Sequence, residues 1–411
     1  MSECRIEKLG EVCDFIGGSQ PPKATFLYDL SDVDETEYVR LIQIRDYKSD
    51  KHIVYIPKSS TRKFCSADDV MIGRYGPPVF QILKGLEGAY NVALMKAVPK
   101  TEELDRDYLF RFLESPEVQN YIIKLSERAA GQTGVNKPAL HDYPILVPPI
   151  PEQKRIVAIL DQAFAGIELA RAKTEQNLLN ARELFESYLQ QVFSQRGEGW
   201  VELTLGQATG GVCTGPFGSL LHKSDYIENG IPLVNPAHIT MTGIEPDSRK
   251  TVSKENAARL SNYVMRQGDI VIGRRGEMGR CALITEKEDG FLCGTGSFLI
   301  RASDRFHGGY LARYLRSANC KARLEKIAGG AVMPNLSNTQ LSSLNLFVPP
   351  IDKQNEIIEL IDLLAIESEA IVSIYQKKLE ALNELKKSIL QKAFSGELTK
   401  APATKTNKGA A

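Results

Sequence analysis

Two short runs carry groups suited to recognising flat polar edges: Arg74-Tyr75 and, 200 positions further on, Arg274-Arg275. Each follows an apolar run closed by glycine, Asp69-Val70-Met71-Ile72-Gly73 and Asp269-Ile270-Val271-Ile272-Gly273, a pattern that predicts a buried strand ending in a tight turn. A guanidinium on such a turn is a donor fork held with little slack. Arginine pairs best with guanine, and Asn or Gln with adenine, at about 1–3 kcal/mol of discrimination each. Polar residues recur at comparable places elsewhere. Ser19, Gln20 and Lys23, and Ser219, His222 and Lys223, follow glycines near the start of each half, where small hydroxyls and free amides suit phosphate oxygens. Gln43 and Arg45 follow one predicted strand, and Asn235 and His238 follow another. Gln132, Asn136 and Lys137, then Asn335 and Asn338, occupy loops before long helical stretches. For every one of these the plain alternative is a solvated turn, and His238 alone reads as a surface histidine.

Covalent chemistry finds little support. Asn235-Pro236-Ala237-His238 partly matches the N-P-P-Y motif of adenine methyltransferases, but lacks its aromatic residue and second proline. There is no G-x-x-x-x-G-K-[ST] phosphate loop, and Gly294-Thr295-Gly296-Ser297 lacks the lysine. The run Gly215 to Ser219 lacks the strand and helix flanks of a nucleotide fingerprint. Seven cysteines are scattered with no C-x-x-C pair, which argues against a zinc site and for reduced thiols. No catalytic, cofactor-binding or metal-ligating residue is therefore expected.

The totals are those of an ordinary globular protein, 43% hydrophobic and 25% charged, with a formal net charge of zero. No global basic field advertises a polyanion partner. The halves differ: residues 1–146 hold 19 Lys+Arg against 22 Asp+Glu, and residues 201–347 hold 17 against 13. Any affinity for nucleic acid must come from a local patch or be shared with a partner. The N-terminus has no apolar leader and no stretch is long and apolar enough to cross a bilayer, so a cytoplasmic location is expected.

These residues must be positioned by a frame, and the frame is a repeat. Val147-Pro148-Pro149-Ile150 with Gln153 returns as Val348-Pro349-Pro350-Ile351 with Gln354; the helical stretches that follow end in Leu189 to Ser194 and Leu390 to Ser395, all at a shift of 201. Apolar residues at Ile156, Leu160, Ala163, Ile167 and Ala170 make one helical stripe. A polar stretch, Arg171 to Asn177, interrupts it, and it resumes at Leu178, Ala181, Phe185, Tyr188 and Val192. The second stripe runs through Ile357, Ile361, Leu364, Ile371, Tyr375, Leu379, Leu382, Leu385 and Ile389. Each stripe can seal the other in an antiparallel coiled coil, with each helix a rod of roughly 65 Å. The intervening halves repeat loosely, at 196 for Leu9-Gly10 and Leu205-Gly206 but 202 for Tyr108-Leu109 and Tyr310-Leu311. Loops of different length on one scaffold explain that drift.

The double V-P-P-I-x-x-Q helix, the closing Lys386 to Thr399 stretch, the run Gly215-Pro216-Phe217-Gly218-Ser219, and Gly268 to Gly276 with Gly279 together resemble the DNA-specificity subunit of type I restriction-modification systems. The resemblance spans nearly the whole chain. The first half departs from it at Arg74-Tyr75-Gly76-Pro77-Pro78, where the second has Arg274-Arg275-Gly276-Glu277-Met278-Gly279. It implies an α/β (α+β) chain with a pseudo-two-fold internal repeat: target recognition domains over 1–150 and 199–351, conserved helices over 151–198 and 352–397, and a flexible tail over 398–411. It also implies a non-catalytic subunit that binds a bipartite double-stranded DNA site with an unread spacer. Two methyltransferase subunits and restriction/translocase subunits would be its partners, and S-adenosylmethionine and ATP would be used on those. A DNA-modifying enzyme and a coiled-coil scaffold without DNA specificity are the rival readings.

Overall fold

A computed structural model describes residues 4–127, 134–240, 242–329 and 335–397. The chain divides into two compact units, residues 1–175 with 377–411, and residues 176–376. The division falls within the long helices Ile150–Ser194 and Ile351–Phe394. In the first helix it lies inside the polar stretch that interrupts the stripe.

The first unit begins with Arg5–Lys8, which pairs antiparallel with Pro144–Val147, so that Arg5 stands opposite Val147. The chain thus closes on itself just before the long helix. Between these strands lie two four-stranded sheets. One has the order Cys13–Gly17, Leu94–Pro99, Val70–Gly73, Gln81–Leu83, all antiparallel. The other has the order Tyr55–Pro57, Tyr38–Ile42, Gly88–Tyr90, Phe64–Cys65, and its middle pair is parallel. Val70–Gly73 is buried along its whole length, as its unbroken apolar run requires.

The second unit repeats this plan. Val201–Thr204 closes against Asn345–Val348. Val212–Thr214, Ser297–Ile300, Ile270–Gly273 and Cys281–Leu283 form the antiparallel sheet, and Tyr226–Ile227, Thr251–Val252, Ile231–Val234 and Leu292–Cys293 form the other, again with one parallel pair. The antiparallel sheet has the same strand order in both units, whereas in the other sheet the parallel pair is central in the first unit and terminal in the second, where Tyr226–Ile227 adds an edge strand.

The long helices pair within each unit. In the first, Ile156, Leu160, Phe164 and Ile167 share one core with Leu390 and Ala393; Lys386 lies 4.9 Å from the Phe164 ring and 3.6 Å from Glu168. In the second, Val192 and Phe193 share a core with Ile357, Ile358 and Ile361. The stripe needs correcting in detail. Phe164, outside it, is buried, whereas Ile371 and Leu385, inside it, are 44% and 47% exposed.

Each helix is tied to its unit by the glutamine of its repeat, and neither Gln153 nor Gln354 has any exposed surface. Gln153 Nε2 donates to the carbonyls of Glu103 and Pro148, both at 2.6 Å, and its Oε1 accepts from the Asp105 amide at 2.8 Å. Gln354 makes the same set with the Arg305 and Pro349 carbonyls, both 2.9 Å away, and the His307 amide at 2.8 Å. A buried amide is stable only when such groups are matched. Arg111 adds a fork onto Asp161 at 3.2 and 2.8 Å, and Arg313 bonds Asp362 correspondingly.

Candidate nucleic-acid interface

In each unit the turn after the central strand is laced to the loop before the long helix. Arg275 and Asn335 form an antiparallel bridge, and Leu336 donates its amide to the Arg274 carbonyl at 3.0 Å. Tyr75 and Gly134 form the same bridge in the first unit, with the Val135 amide on the Arg74 carbonyl at 3.0 Å. Two candidate groups far apart in sequence therefore share one surface in both units. Gly76 and Gly276 take φ of +95° and +80°, a conformation that favours glycine at the tip of each turn.

A second seam joins the glycine loops to the same sheet end. A Cβ on Gly18 would stand 2.0 Å from the Asn91 carbonyl oxygen, and one on Gly215 equally close to that of Gly294. The amide of Gly294 in turn bonds the Val234 carbonyl at 2.9 Å, and the Asn235 side chain accepts from the Gly296 amide at 3.4 Å. The carbonyl of Gly296 accepts from the Arg274 amide at 2.9 Å. In the first unit Asn91 donates its amide to Ile42 at 3.1 Å and the Arg74 amide bonds Ala93 at 2.8 Å. Glycine loop, strand end and arginine turn thus form one connected edge.

The side chains on these edges divide sharply. Gln20, Lys23, Arg45, Tyr75, Ser219, His222, Lys223 and Arg275 are exposed. Others carry structural duties. Ser19 is half-buried and shares a hydroxyl–hydroxyl bond of 2.6 Å with Thr61. Gln43 is half-buried, and its amide is capped by Asp46 at 2.8 Å. The His238 ring faces inward, its Nδ1 2.9 Å from the Leu233 carbonyl, so it is no free surface histidine. Asn136 is a helix cap, accepting from the Ala139 amide at 3.1 Å, and Lys137 opens the helix Lys137–Asp142 rather than lying in a loop. Asn338 likewise opens a helix, and its amide donates inward to the Val212 carbonyl at 2.8 Å. Gln132 lies outside the described residues.

The two turns present different chemistry. In the second unit the Nε groups of Arg274 and Arg275 both donate to Asn335 Oδ1, at 3.2 and 3.4 Å. In the first, Arg74 Nη1 is spent on the Val92 carbonyl at 3.2 Å, and its guanidinium lies 5.1 Å from the centre of the Tyr75 ring. That turn also contains a cis bond between Pro77 and Pro78.

Reactive groups are quiet. Burial pushes the thiols of Cys13 and Cys320 up to about 12, and those of Cys65 and Cys281 up to about 11. They are neutral thiols at physiological pH, poor nucleophiles and poor metal ligands. Among the described residues no cluster of His, Cys, Asp and Glu could hold a metal ion, and no helix is long and apolar enough to cross a membrane.

Two units of closely similar topology, each with a laced polar edge and each packed on its own stretch of the two long helices, form a duplicated module. Residues 1–179 and 209–384 match the family described as type I restriction modification DNA specificity domain, and the chain belongs to that family. It is similar to the type I restriction enzyme MjaVIII specificity subunit of Methanocaldococcus jannaschii, 21% identical over 96% of this chain and 92% of that one. It is also similar to the StySPI specificity subunit of Salmonella potsdam, 23% identical over 89% and 83%. Its fold resembles the HsdS subunit from Thermoanaerobacter tengcongensis, with a TM-score of 0.64 at 20% identity over 96% and 97% of the two chains. A chain solved in work on complex assembly and conformational transition of the type I R-M system gives 0.73 at 20% identity, over 96% and 98%.

Proposed function

We propose that the chain is the DNA-specificity subunit of a type I restriction-modification complex, each unit reading one half of a bipartite site through its laced edge. The observation that supports this is the twin bridge, Tyr75 to Gly134 and Arg275 to Asn335, which joins the same turn to the same loop in both repeats. A rigid edge holds donors in register with base edges, while exposed Gln20, Lys23, Ser219 and Lys223 supply phosphate contacts that fix register without reading sequence.

The chain itself does no chemistry. It places partner methyltransferase subunits, which use S-adenosylmethionine, over the two halves of the site, and recruits ATP-dependent restriction subunits. Leu360, Leu363, Ile366 and Ile374 are 46%, 54%, 67% and 62% exposed on the second long helix, and Leu184 is 73% exposed on the first. An exposed apolar face on a paired helix is the surface a partner helix needs. The seven free cysteines suit a reducing cytoplasm, where such a complex acts on the chromosome.

The test is to exchange residues 201–347 for the corresponding segment of a relative and sequence the methylated bases in cells. One half of the methylated motif should change. A change in both halves, or in neither, overturns the reading.

A further inference from the structure

We infer that the second unit reads guanine through a pair of arginines set by Asn335, and that the first unit has no equivalent guanine reader. The inference rests on the DNA-reading function proposed above and adds the base class.

One neutral oxygen, Asn335 Oδ1, accepts from the Nε of Arg274 and of Arg275. Two cations are thereby held side by side, which repulsion opposes unless something favours it. Among the described residues neither guanidinium has a carboxylate partner, whereas Arg280, just across the turn, pairs with Glu277. With Nε occupied, the free edge of each guanidinium is its two Nη groups. That edge matches the O6 and N7 acceptors that guanine shows in the major groove, a pairing adenine cannot offer because its N6 is a donor. The backbone is fixed on both sides, by the Arg274 amide on Gly296 and the Leu336 amide on the Arg274 carbonyl. Asn335 is thus a positioning residue, and Arg275, the exposed member of the pair, is the reader.

The first unit keeps the backbone lacing but not the paired side chains. Tyr75 replaces the second arginine, Gly134 replaces the asparagine across the bridge, and Arg74 is turned onto the Val92 carbonyl. A Cβ at position 134 would come within 2.9 Å of the Tyr75 ring, so the ring packs against that glycine. The surface offered is an aromatic face, 37% exposed, which suits the thymine methyl or a base plane rather than a bidentate acceptor.

The experiment uses the complex with its methyltransferase subunits and a duplex bearing the methylated motif found in cells. Arg275→Ala identifies the half-site read by the second unit, as the half whose sequence requirement it relaxes. Each guanine there is then replaced by 7-deazaguanine, which keeps O6 and loses N7. At one of them affinity should fall about ten- to hundredfold. Asn335→Ala should shrink that loss toward unity without changing the salt dependence of binding, whereas Asn335→Asp, which sets a carboxylate against both guanidinia, should lower both the loss and the salt dependence. The inference is overturned if the half-site contains no guanine, if every 7-deazaguanine costs less than twofold, or if Arg275→Ala weakens all duplexes alike. Equal binding of the unaltered complex to every duplex would instead overturn the function itself.

Discussion

Tyr108 donates its hydroxyl to the carbonyl of Leu146 at 2.8 Å, tying the helix Arg106–Leu113 to the strand that closes the unit. Its counterpart Tyr310 is 1% exposed, packed against Phe193 and Phe306, and its hydroxyl has no hydrogen-bond partner among the described residues. The same substitution should therefore act differently in the two repeats. Tyr108→Phe should cost about 1 kcal/mol, whereas Tyr310→Phe should be neutral or stabilising, because it removes an unmatched buried group. Thermal unfolding of the two variants checks the order; an equal loss from both would refute the asymmetry.

Gln153→Leu strands one amide and two carbonyls, and should destabilise its unit by about 3 kcal/mol. Native hydrogen exchange localises the effect. The Asp105 amide should exchange faster in Gln153→Leu and the His307 amide in Gln354→Leu, each leaving the other protected. If both amides respond to either change, the two clamps are not independent.

Gly18→Ala and Gly215→Ala force a methyl against a carbonyl oxygen with no flexible side chain to move aside. Each should cost about 1–3 kcal/mol by overpacking and displace one reading edge. In binding assays Gly215→Ala should relax one half-site and Gly18→Ala the other. Unchanged discrimination in both would show that these seams do not position the readers.

The buried thiols give a pH dependence with a definite sign. An unfolded cysteine ionises near about 8.5, whereas Cys13, Cys65, Cys281 and Cys320 are held up at about 11 to 12 by burial. Above pH 8.5 the unfolded chain binds fewer protons than the folded one, so stability should fall steadily toward pH 11. Substituting Cys281 and Cys320 by alanine should flatten that decline relative to the parent. In the native protein at pH 8, alkylation should label exposed Cys4 well before these four.

The helices were legible in sequence because a period repeated over more than forty residues leaves little freedom, and they run Ile150–Ser194 and Ile351–Phe394. The strand before each arginine turn was legible for a similar reason, since Val70–Gly73 and Ile270–Gly273 are continuous apolar runs. Shorter elements are harder to bound from sequence: the run Asn91 to Met95 alternates like a strand, but it begins as a turn and the strand is Leu94–Pro99. What sequence could not supply was partnership across long separations. Nothing local to Gln153 says that its amide meets Glu103, and nothing local to Asn338 says that it faces Val212. Asn136 could have been recognised, because an asparagine before Lys-Pro is a common helix cap.

The glutamine clamps touch only main-chain groups. Gln153 holds the carbonyls of Glu103 and Pro148 and the amide of Asp105, and Gln354 holds their counterparts. A joint made to the backbone is indifferent to the side chains on the other side of it. A recombination event that replaces a whole reading unit would therefore meet a fitting that already accepts it, and a new DNA target could arise in one step without a matching change in the helices.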